Sequence, residues 1–480
     1  MVNISELNLD RSKYSIINNN TYKPHIRSNF TTSIPMSIIK NFISKPCNNL
    51  ITVVEVSNKD NKSIRFKKMH RTENSYIISY KKEKLIKNPK IKIIDIIPEK
   101  EALIRENKKE SSEISILSIM PKSTGLTPIY AYQLNNLKVL VGGYYKKDII
   151  FNKKIRITEL ASAALGLYFA EGGKKAPSFT NSDPSTINII LDFIESISNL
   201  RRKDISASIY CHPKLKKKEK QLKAFWKTQT GIEKFTKLHL SRKSRSPCGT
   251  LEMNIGSIIL KELFLKLLDV NIPYDNNNFI RGVLSGDGSP IKQTKTFLTH
   301  HISLNKKTLN SDFLLLEKIF KNENIKIKCC NYPTTAKLII YSDWFKNINL
   351  IINDIYKFNL INRLKFIYLF LNLQYTKAFM KIKDGYIIKG IDIARGQKKY
   401  INVFKKYELI KLKQISPKPN KKYKIIFTKE GREIRNIILK FQNNYYPMIR
   451  KEFLNFCRTL RKFDLLDKNW YKVYKKCLIL

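Results

Sequence analysis

Acidic residues are scarce in this chain. Its 480 residues include 39 Asp and Glu against 90 Lys and Arg, which gives a formal net charge of +51. A charge of this size repels itself unless an anionic partner offsets it. Nucleic acid is the natural partner, because each neutralised phosphate releases a condensed counterion.

Long apolar runs and paired cysteines are also lacking. No run reaches the ~18–20 apolar residues that a membrane-spanning helix needs, and the N-terminus has no basic start or apolar segment of a signal peptide. None of the seven cysteines forms a CxxC pair. We therefore expect no membrane partner, no disulfide and no structural zinc. We expect an intracellular location, in the cytoplasm, the nucleoid or an organelle matrix.

Residues 1–120 are basic and rich in alternating apolar and polar residues. The alternation predicts strands in Ile51–Val56, Ser63–Lys67, Ser75–Tyr80 and Ile91–Ile97. The stretch Thr32–Lys40 indicates a strand, a proline turn and a short helix, ahead of a hairpin around residues 58–61. This order resembles the swapped-hairpin DNA-binding domains of the AbrB type, although an unrelated small β-rich domain is the more ordinary interpretation. A loop around residues 121–128 ends the region.

The middle of the chain repeats itself. The first copy begins with a helical segment at 159–173, then a strand at 176–183 and a helix at 184–197. The second begins with a helical segment at 279–289, then strands around 294–305 and a helix at 308–320. Each continues into strands and another apolar helix, so the order αββαββα is expected twice. We assign the copies to residues 157–270 and 271–372; the first carries an extra basic segment, Lys214–Lys237.

Residues 373–480 form a third, mainly helical region. Residues 400–440 predict a helix, a strand at 410–416, a basic turn at 417–422, a strand at 423–428 and a further helix, which Thr428 can cap. This pattern resembles a winged-helix DNA-binding domain, and a plain α-helical extension is the alternative.

Both copies begin with the same small-residue pattern. Ala164–Gly172 and Ile280–Gly288 share Gly at the third position, Ala or Gly at the seventh, an acid at the eighth and Gly at the ninth. The small residues lie four apart on one helix face, and such faces let two helices approach closely. The closing glycine of each motif predicts a left-handed helix end.

The acids of the two motifs are Glu171 and Asp287. Two such helices packed about a pseudo-twofold axis would bring both carboxylates to the base of the pair. A carboxylate at a helix C-terminus is unfavourable against the helix dipole, and two like charges close together add to the cost. A divalent cation offsets both effects, and hard oxygen ligands suit Mg²⁺.

Residues 157–372 resemble the LAGLIDADG homing endonuclease family in its single-chain, two-motif form. The segments LGLYFAEGG, FWKTQTGIEKF and FIRGVLSGDGS carry the resemblance. It implies an α+β fold: a pseudo-twofold pair of αββαββα subdomains that form a DNA-binding saddle, flanked here by the β-rich N-terminal domain and the helical or winged-helix-like C-terminal domain.

The resemblance also implies the activity. A monomeric, intron-encoded enzyme of this kind cuts both strands of a long double-stranded DNA site across the minor groove. Glu171 and Asp287 would bind Mg²⁺, or Mn²⁺ in its place, each cutting one strand, with Gly172 and Gly288 beside them at the metals. The family often adds a basic residue near each acid; Lys365 is our candidate in the second copy, and Lys266 a weaker one in the first.

The strands after each motif should face the DNA. Polar residues that alternate along a strand usually form a solvated face, and here that face would be the one that meets DNA. In the first copy we expect contacts from Lys174, Ser178 and Thr180, and, on a later hairpin, from Lys237, His239, Ser241, Lys243 and Arg245. In the second copy we expect them from Lys292, Lys295, Thr299, His301, Lys326, Lys328 and Lys337. Trp226 and Tyr210 could stack on bases, although core packing is the more ordinary role.

Two other functions fit the same scaffold. A DNA-binding transcription regulator would keep the saddle without cutting, and a group I intron maturase would bind intron RNA. The pair of acids favours the endonuclease over the regulator. The sequence does not separate the endonuclease from the maturase, because one chain can perform both tasks.

Overall fold

The chain folds as an α+β protein built from several small sheets and the helices packed against them. The computed structural model describes residues 31–40, 42–43, 49–57, 62–73, 75–79, 90–104, 113–125, 127–143, 146–173, 176–255, 257–269, 271–286, 289–292, 298–304, 309–323, 325, 327–331, 336–341, 360–390, 392, 399–417 and 421–479. Within these ranges no helix has both the length and the apolar character that crossing a bilayer requires.

The N-terminal region forms a five-stranded antiparallel sheet of order β1-β4-β3-β2-β5. Its elements are β1 (Thr31–Pro35), α1 (Met36–Ile39), β2 (Leu50–Ser57), β3 (Lys62–Arg71), β4 (Ser75–Ser79), β5 (Lys90–Pro98) and α2 (Glu99–Ala102). The four strands predicted from alternation are confirmed, and so is the succession of strand, proline and short helix ahead of them.

A second β-rich segment follows. For this part of the chain the sequence patterns predicted only a loop. It comprises β6 (Glu113–Ser115), α3 (Ile116–Ile119), β7 (Ser123–Thr124), β8 (Thr127–Pro128), β9 (Tyr130–Gln133), β10 (Lys138–Gly143), β11 (Lys146–Asn152) and β12 (Lys154–Arg156). The sheet β11-β10-β9 packs its Tyr130 and Leu140 against Val53 and Phe66 of the first sheet. The N-terminal core therefore continues past residue 120.

A half-buried carboxylate joins these two sheets. Asp148 of β11 accepts hydrogen bonds from the N–H of Phe66 at 3.0 Å and of Gly143 at 3.2 Å. Burial raises the pKa of Asp148 to about 7, although both hydrogen bonds and the positive charges of Arg65 and Lys67 oppose this rise.

The first repeat departs from the predicted order αββαββα. Its elements are α4 (Glu159–Glu171), β13 (Ser178–Asn181), α5 (Pro184–Ile197), β14 (Ser206–Cys211), α6 (Glu219–Thr230), β15 (Lys234–Leu240), β16 (Thr250–Asn254) and α7 (Ile258–Leu267). The first hairpin is reduced to β13 and an isolated bridge between Gly172 and Phe179. The extra basic segment adds α6, which connects β14 to β15 and makes them parallel neighbours, as a crossover helix permits.

The second repeat has the predicted order as far as it is described. It contains α8 (Asn276–Gly286), β17 (Ser289–Lys292), β18 (Leu298–Leu304), α9 (Leu309–Asn322), β19 (Ile327–Asn331) and β20 (Ala336–Tyr341), followed by α10 (Leu360–Leu371). The four strands form a sheet of order β17-β18-β20-β19, and the first repeat has one of order β13-β16-β14-β15. The final helix expected near residues 344–356 lies outside the described residues.

The C-terminal region contains the predicted helix, two strands and further helix in that order, and residues 418–420 of the predicted turn lie outside the described residues. Its elements are α11 (Gln374–Lys381), β21 (Ile387–Lys389), α12 (Lys399–Lys406), β22 (Ile410–Ser416), β23 (Lys422–Phe427), α13 (Lys429–Lys440), α14 (Tyr446–Lys462) and α15 (Lys468–Lys475). The Thr428 hydroxyl caps α13 by accepting from the Gly431 N–H at 3.0 Å, as predicted. A third strand, β21, completes a sheet of order β21-β23-β22.

The C-terminal helices pack against the first repeat through α6. The ring of Phe225 lies 6.2 Å from that of Phe456 and 5.9 Å from that of Phe463. Lys218 pairs with Asp464 at 2.8 Å. The extra segment of the first repeat therefore serves as the docking site for α14.

One buried side chain links the two repeats. The Asp183 carboxylate accepts from the Ser185 N–H at 2.8 Å, at the start of α5, and from the Leu360 N–H at 2.9 Å, at the start of α10. Two helix N-termini thus share one acid, which the helix dipole favours at both.

Candidate active site and nucleic-acid surface

The helices α4 and α8 cross at their small residues, as the motif predicts. A Cβ added to Gly282 would lie 2.7 Å from the Leu167 nitrogen and 3.0 Å from the Gly166 carbonyl carbon. A Cβ added to Gly166 would lie 3.0 Å from the Phe279 carbonyl carbon and 3.1 Å from the Val283 nitrogen. Backbone meets backbone on both sides, so no residue larger than glycine fits at this crossing.

The N-terminal ends of the pair are fixed by polar contacts. The Thr158 hydroxyl caps α4 by accepting from the Ala161 N–H at 3.2 Å. Asp275 accepts from the Asn278 N–H at 2.9 Å in the first turn of α8, and its own N–H donates to the Ser162 hydroxyl at 3.0 Å. Residues Ala161–Phe169 of α4 are all buried, which is the pattern of a helix enclosed by the core.

The helices α4 and α8 are equally close to each other at the end that carries Glu171. Glu171 is the last residue of α4 and is half-buried. A Cβ added to Gly286 would lie 2.6 Å from the Ala170 Cβ and 3.1 Å from the Glu171 Cγ. The last described residue of the second motif therefore lies directly against the acid of the first. Asp287 and Gly288 lie outside the described residues.

Gly172 ends α4 without the left-handed conformation that we predicted. Its φ is −73° and its ψ is 139°, because the chain passes straight into the bridge with Phe179. Glycine is required here by space: an added Cβ would lie 2.6 Å from the Tyr168 ring. The Tyr168 hydroxyl donates to the Gly173 carbonyl at 3.1 Å and holds the turn.

The described residues contain no group of three or more His, Cys, Asp and Glu side chains that could hold a metal ion. Because Asp287 lies outside them, Glu171 is the one expected carboxylate ligand within the described residues, with Gly172 beside it. Its carboxylate oxygens have the donor chemistry that Mg²⁺ takes from proteins, which is one or two carboxylates completed by phosphate oxygens and water.

Lys365 lies on α10, which packs against α14 and against β17, the strand that follows Asp287. Its side chain is half-buried and close to the C-terminal segment. Burial raises the pKa of the Cys477 thiol, and the charges of Lys476 and Lys365 oppose that rise. Lys266 is exposed on α7.

The sheet of the first repeat has one apolar face and one polar face, as alternation predicts. Along β13, Phe179 is buried and Ser178 and Thr180 are half-buried on the opposite face. The register pairs Ser178 with Asn254 and Thr180 with Glu252 of β16, which extends the polar face across the sheet. Lys174 lies outside the described residues.

Glu252 lies in the middle of this polar face, and it was not among the DNA contacts expected from the sequence. The Glu252 carboxylate accepts a hydrogen bond from the Tyr210 hydroxyl at 3.0 Å. The Tyr210 ring stacks on His239, with centroids 4.6 Å apart and an interplanar angle of 16°. Burial, and then the hydrogen bond to Glu252, raise the pKa of Tyr210. The signal was present as the central polar residue of the alternating strand TLEMN.

The later basic residues of the first copy do not lie on a hairpin, and that prediction is wrong. The strand β15 pairs only in parallel with β14, at the sheet edge, because α6 intervenes between them. Lys237 is exposed at the irregularity in this pairing, and His239 lies opposite Tyr210. Ser241, Lys243 and Arg245 follow in the loop between β15 and β16. Trp226 is fully buried and donates to the Cys248 carbonyl at 2.8 Å, so it belongs to the core.

In the sheet of the second repeat, His301 and Lys337 share a polar face. Ser303 pairs with Lys337, and Lys328 and His301 both pair with Ile339 of β20, so these side chains stand on one side of the sheet. Burial and then the charge of Lys337 lower the pKa of His301, which favours the neutral imidazole. Lys292 lies on β17, and Thr299 lies on β18. Lys295 and Lys326 lie outside the described residues.

Comparison with known proteins adds no assignment. The chain matches no protein-family model, and a search of curated proteins finds no significant relative.

Proposed function

We propose that this chain is a site-specific, metal-dependent DNA endonuclease of the LAGLIDADG type. The two glycine-bearing helices would form the centre of a pseudo-twofold pair, and the two four-stranded sheets would form a saddle that holds duplex DNA. A single chain with two motifs would act as a monomer on both half-sites.

The packing of α4 against α8 carries this proposal. Gly166 and Gly282 approach the backbone of the opposite helix in equivalent ways, and Gly286 lies against Glu171. Asp287 is bonded to Gly286, so the covalent chain limits how far the second acid can be from the first. A helix pair that merely filled a core would not need an acid at the eighth position of both motifs.

The charge pattern supports a duplex DNA substrate. The net charge of +51 favours a polyanionic partner. The polar face of the sheet in the first repeat presents Ser178, Thr180 and Glu252, which could contact base edges or phosphates. Glu252 would repel phosphate, so it suits a position over a base; carboxylates accept from the amino group of cytosine.

The resemblance implies Mg²⁺ as the cofactor, and Glu171 with Asp287 would hold it. When bound, it would supply charge stabilisation to the attacking and leaving oxygens of the phosphate. The half-buried Glu171 would help to hold it at the end of the tight helix pair.

Cleavage of DNA in the presence of Mg²⁺ tests this function. The protein would be incubated with a library of randomised sites and with genomic DNA of the host, and the broken ends sequenced. We expect staggered breaks at one long site, absent in Glu171→Gln/Asp287→Asn. Glu159→Gln is the matched control, because Glu159 is an exposed acid in the first turn of the same helix, and it should cut like the wild type.

Two outcomes would overturn the proposal. Tight DNA binding without metal-dependent breaks, in wild type and double variant alike, would favour a transcription regulator. Binding and splicing of an intron RNA, with no DNA cleavage, would favour a maturase.

A further inference from the structure

The sheet of the C-terminal region carries an unusual concentration of lysine. Residues 410–424 include six lysines and no acid. The inner face of this sheet is apolar, with Ile410, Ile425 and Phe427 buried in the core. The outer face presents five exposed lysines, which we call the lysine face: Lys389, Lys411, Lys413, Lys422 and Lys424.

The strand register sets these lysines directly opposite one another. Lys413 of β22 pairs with Lys424 of β23, and Lys389 of β21 pairs with Lys422 of β23. Directly opposed residues have Cβ atoms about 4.5–5.5 Å apart, and like charges at that distance destabilise a sheet. Two such pairs in one small sheet are a cost to the free protein.

No acid among the described residues relieves these charges. None of the five lysines forms an ion pair there. Asp384, which precedes β21, accepts from the Phe427 N–H at 3.1 Å and from Arg432 at 3.4 Å. The Asp384 carboxylate is therefore engaged on other partners.

We propose that the lysine face binds the phosphate backbone of duplex DNA beside the segment held by the two repeats. The choice of duplex DNA as the partner rests on the proposed function. A polyanionic partner is inferred from the exposed lysines alone. Lys411 and Lys413 stand two residues apart, as do Lys422 and Lys424, which is about 6.8 Å along a strand. Two steps along one DNA strand span a similar rise of about 6.8 Å, so the two lysines of each row match phosphates that are two steps apart.

The test compares Lys413→Gln/Lys424→Gln with the wild-type chain. Affinity for a duplex would be measured without divalent metal over a series of KCl concentrations. Loss of two phosphate contacts should reduce the slope of log K against log salt by about 1.8, and should weaken binding roughly 10- to 30-fold at 0.15 M salt. The control Lys100→Gln/Lys122→Gln removes the same charge from exposed positions of the N-terminal region and should change neither quantity as much.

The same variant has a second readout of opposite sign. Because Lys413 and Lys424 repel each other, their replacement should leave the Tm of the DNA-free protein unchanged or higher. Weaker binding together with a lowered Tm would indicate damage to the fold; Lys413→Arg/Lys424→Arg, which keeps the charge, should then bind like the wild type if the proposal holds.

Equal affinity and equal salt slope in the variant and the wild type would overturn the proposal. Loss of binding to single-stranded RNA or to anionic vesicles, with duplex binding intact, would also overturn it. The outcome is separable from that of the endonuclease. Cleavage retained with an unchanged slope refutes only the lysine face, and a changed slope in a chain that never cuts refutes only the endonuclease.

Discussion

Replacing Gly286 with alanine tests the contact between α4 and α8 at its acid-bearing end. The added Cβ would lie 2.6 Å from the Ala170 Cβ, whereas carbon atoms pack at about 3.5–4.0 Å. The helices must therefore separate by about 1 Å. Overpacking of this kind costs about 1–3 kcal/mol, so we expect a loss of about 2 kcal/mol in unfolding free energy. For a unit the size of the paired repeats, Tm should fall by about 4–8 °C.

The swap Ala170→Gly/Gly286→Ala should recover most of this loss. Removing the Ala170 methyl clears the closest contact and leaves the Glu171 Cγ at 3.1 Å, a methylene on a flexible side chain. Ala170→Gly alone should cost up to about 1 kcal/mol, the usual cost of glycine inside a helix. Independent effects would sum to about 3 kcal/mol; we expect about 1 kcal/mol, a coupling of about 2 kcal/mol.

Calorimetry of the wild type, the two single variants and the double variant measures this coupling. A double variant whose loss equals the sum of the two single losses would refute the close contact. Gly282→Ala is the contrasting case. Its neighbours are the backbone of Leu167 and Gly166, so no truncation on α4 can relieve it. If Glu171 is catalytic, a 1 Å shift should also slow cleavage by about 100-fold in Gly286→Ala, and the swap should restore the rate.

Three further predictions concern other parts of the chain. Burial raises the pKa of Asp148 to about 7, so the folded state keeps a proton that the unfolded state releases near pH 4; stability should fall as pH rises from about 4 to 7. Thermal unfolding over this range should show a flatter dependence in Asp148→Asn, and an unchanged slope would contradict the assignment. Glu252→Gln should alter the preferred base at one position of the site, from cytosine towards adenine; sequencing of selected sites with no change would exclude Glu252 from base contact. Phe225→Ala, at a fully buried position, should cost about 3–5 kcal/mol and expose α14 to limited proteolysis; undiminished protection would contradict the docking role of α6.

The helix pair could be predicted from sequence because its signal is local. Small residues four apart, followed by an acid and a glycine, define a helix face whatever surrounds it, and Gly166 and Gly282 meet as that spacing requires. The four N-terminal strands were equally accessible, since alternation with period two is a property of each strand by itself.

The errors arise where structure depends on distant partners. The parallel pairing of β14 with β15 depends on the path of α6, and strand patterns alone do not show which edge a crossover reaches. The φ of Gly172 depends on the bridge to Phe179. The role of Asp183 at Leu360, 177 positions away, has no local signature, although its role as cap of α5 does.

Glu252 was missed for a different reason. The search for DNA contacts selected cations, because phosphate attraction dominates affinity. Base readout uses donors and acceptors of either charge, so an acid on a polar strand face fits the same function. Its hydrogen bond from Tyr210 shows that the carboxylate is held in place on the sheet and is not a freely rotating surface group.

The chain keeps unfavourable charges where the proposed function would use them. Glu171 ends α4 against the helix dipole, which costs about 0.3–1 kcal/mol, and Lys413 opposes Lys424 at a cost of about 0.2–1 kcal/mol. Salt should therefore act in opposite directions on the free and bound protein. Raising KCl from 0.1 M to 1 M shortens the screening length from about 10 Å to about 3 Å. The Tm of the free protein should rise because its +51 charge is screened, and the extra Tm conferred by duplex DNA should shrink as binding weakens. A free protein destabilised by salt would show that its cations are already balanced within the fold, and the argument for a polyanionic partner would fail.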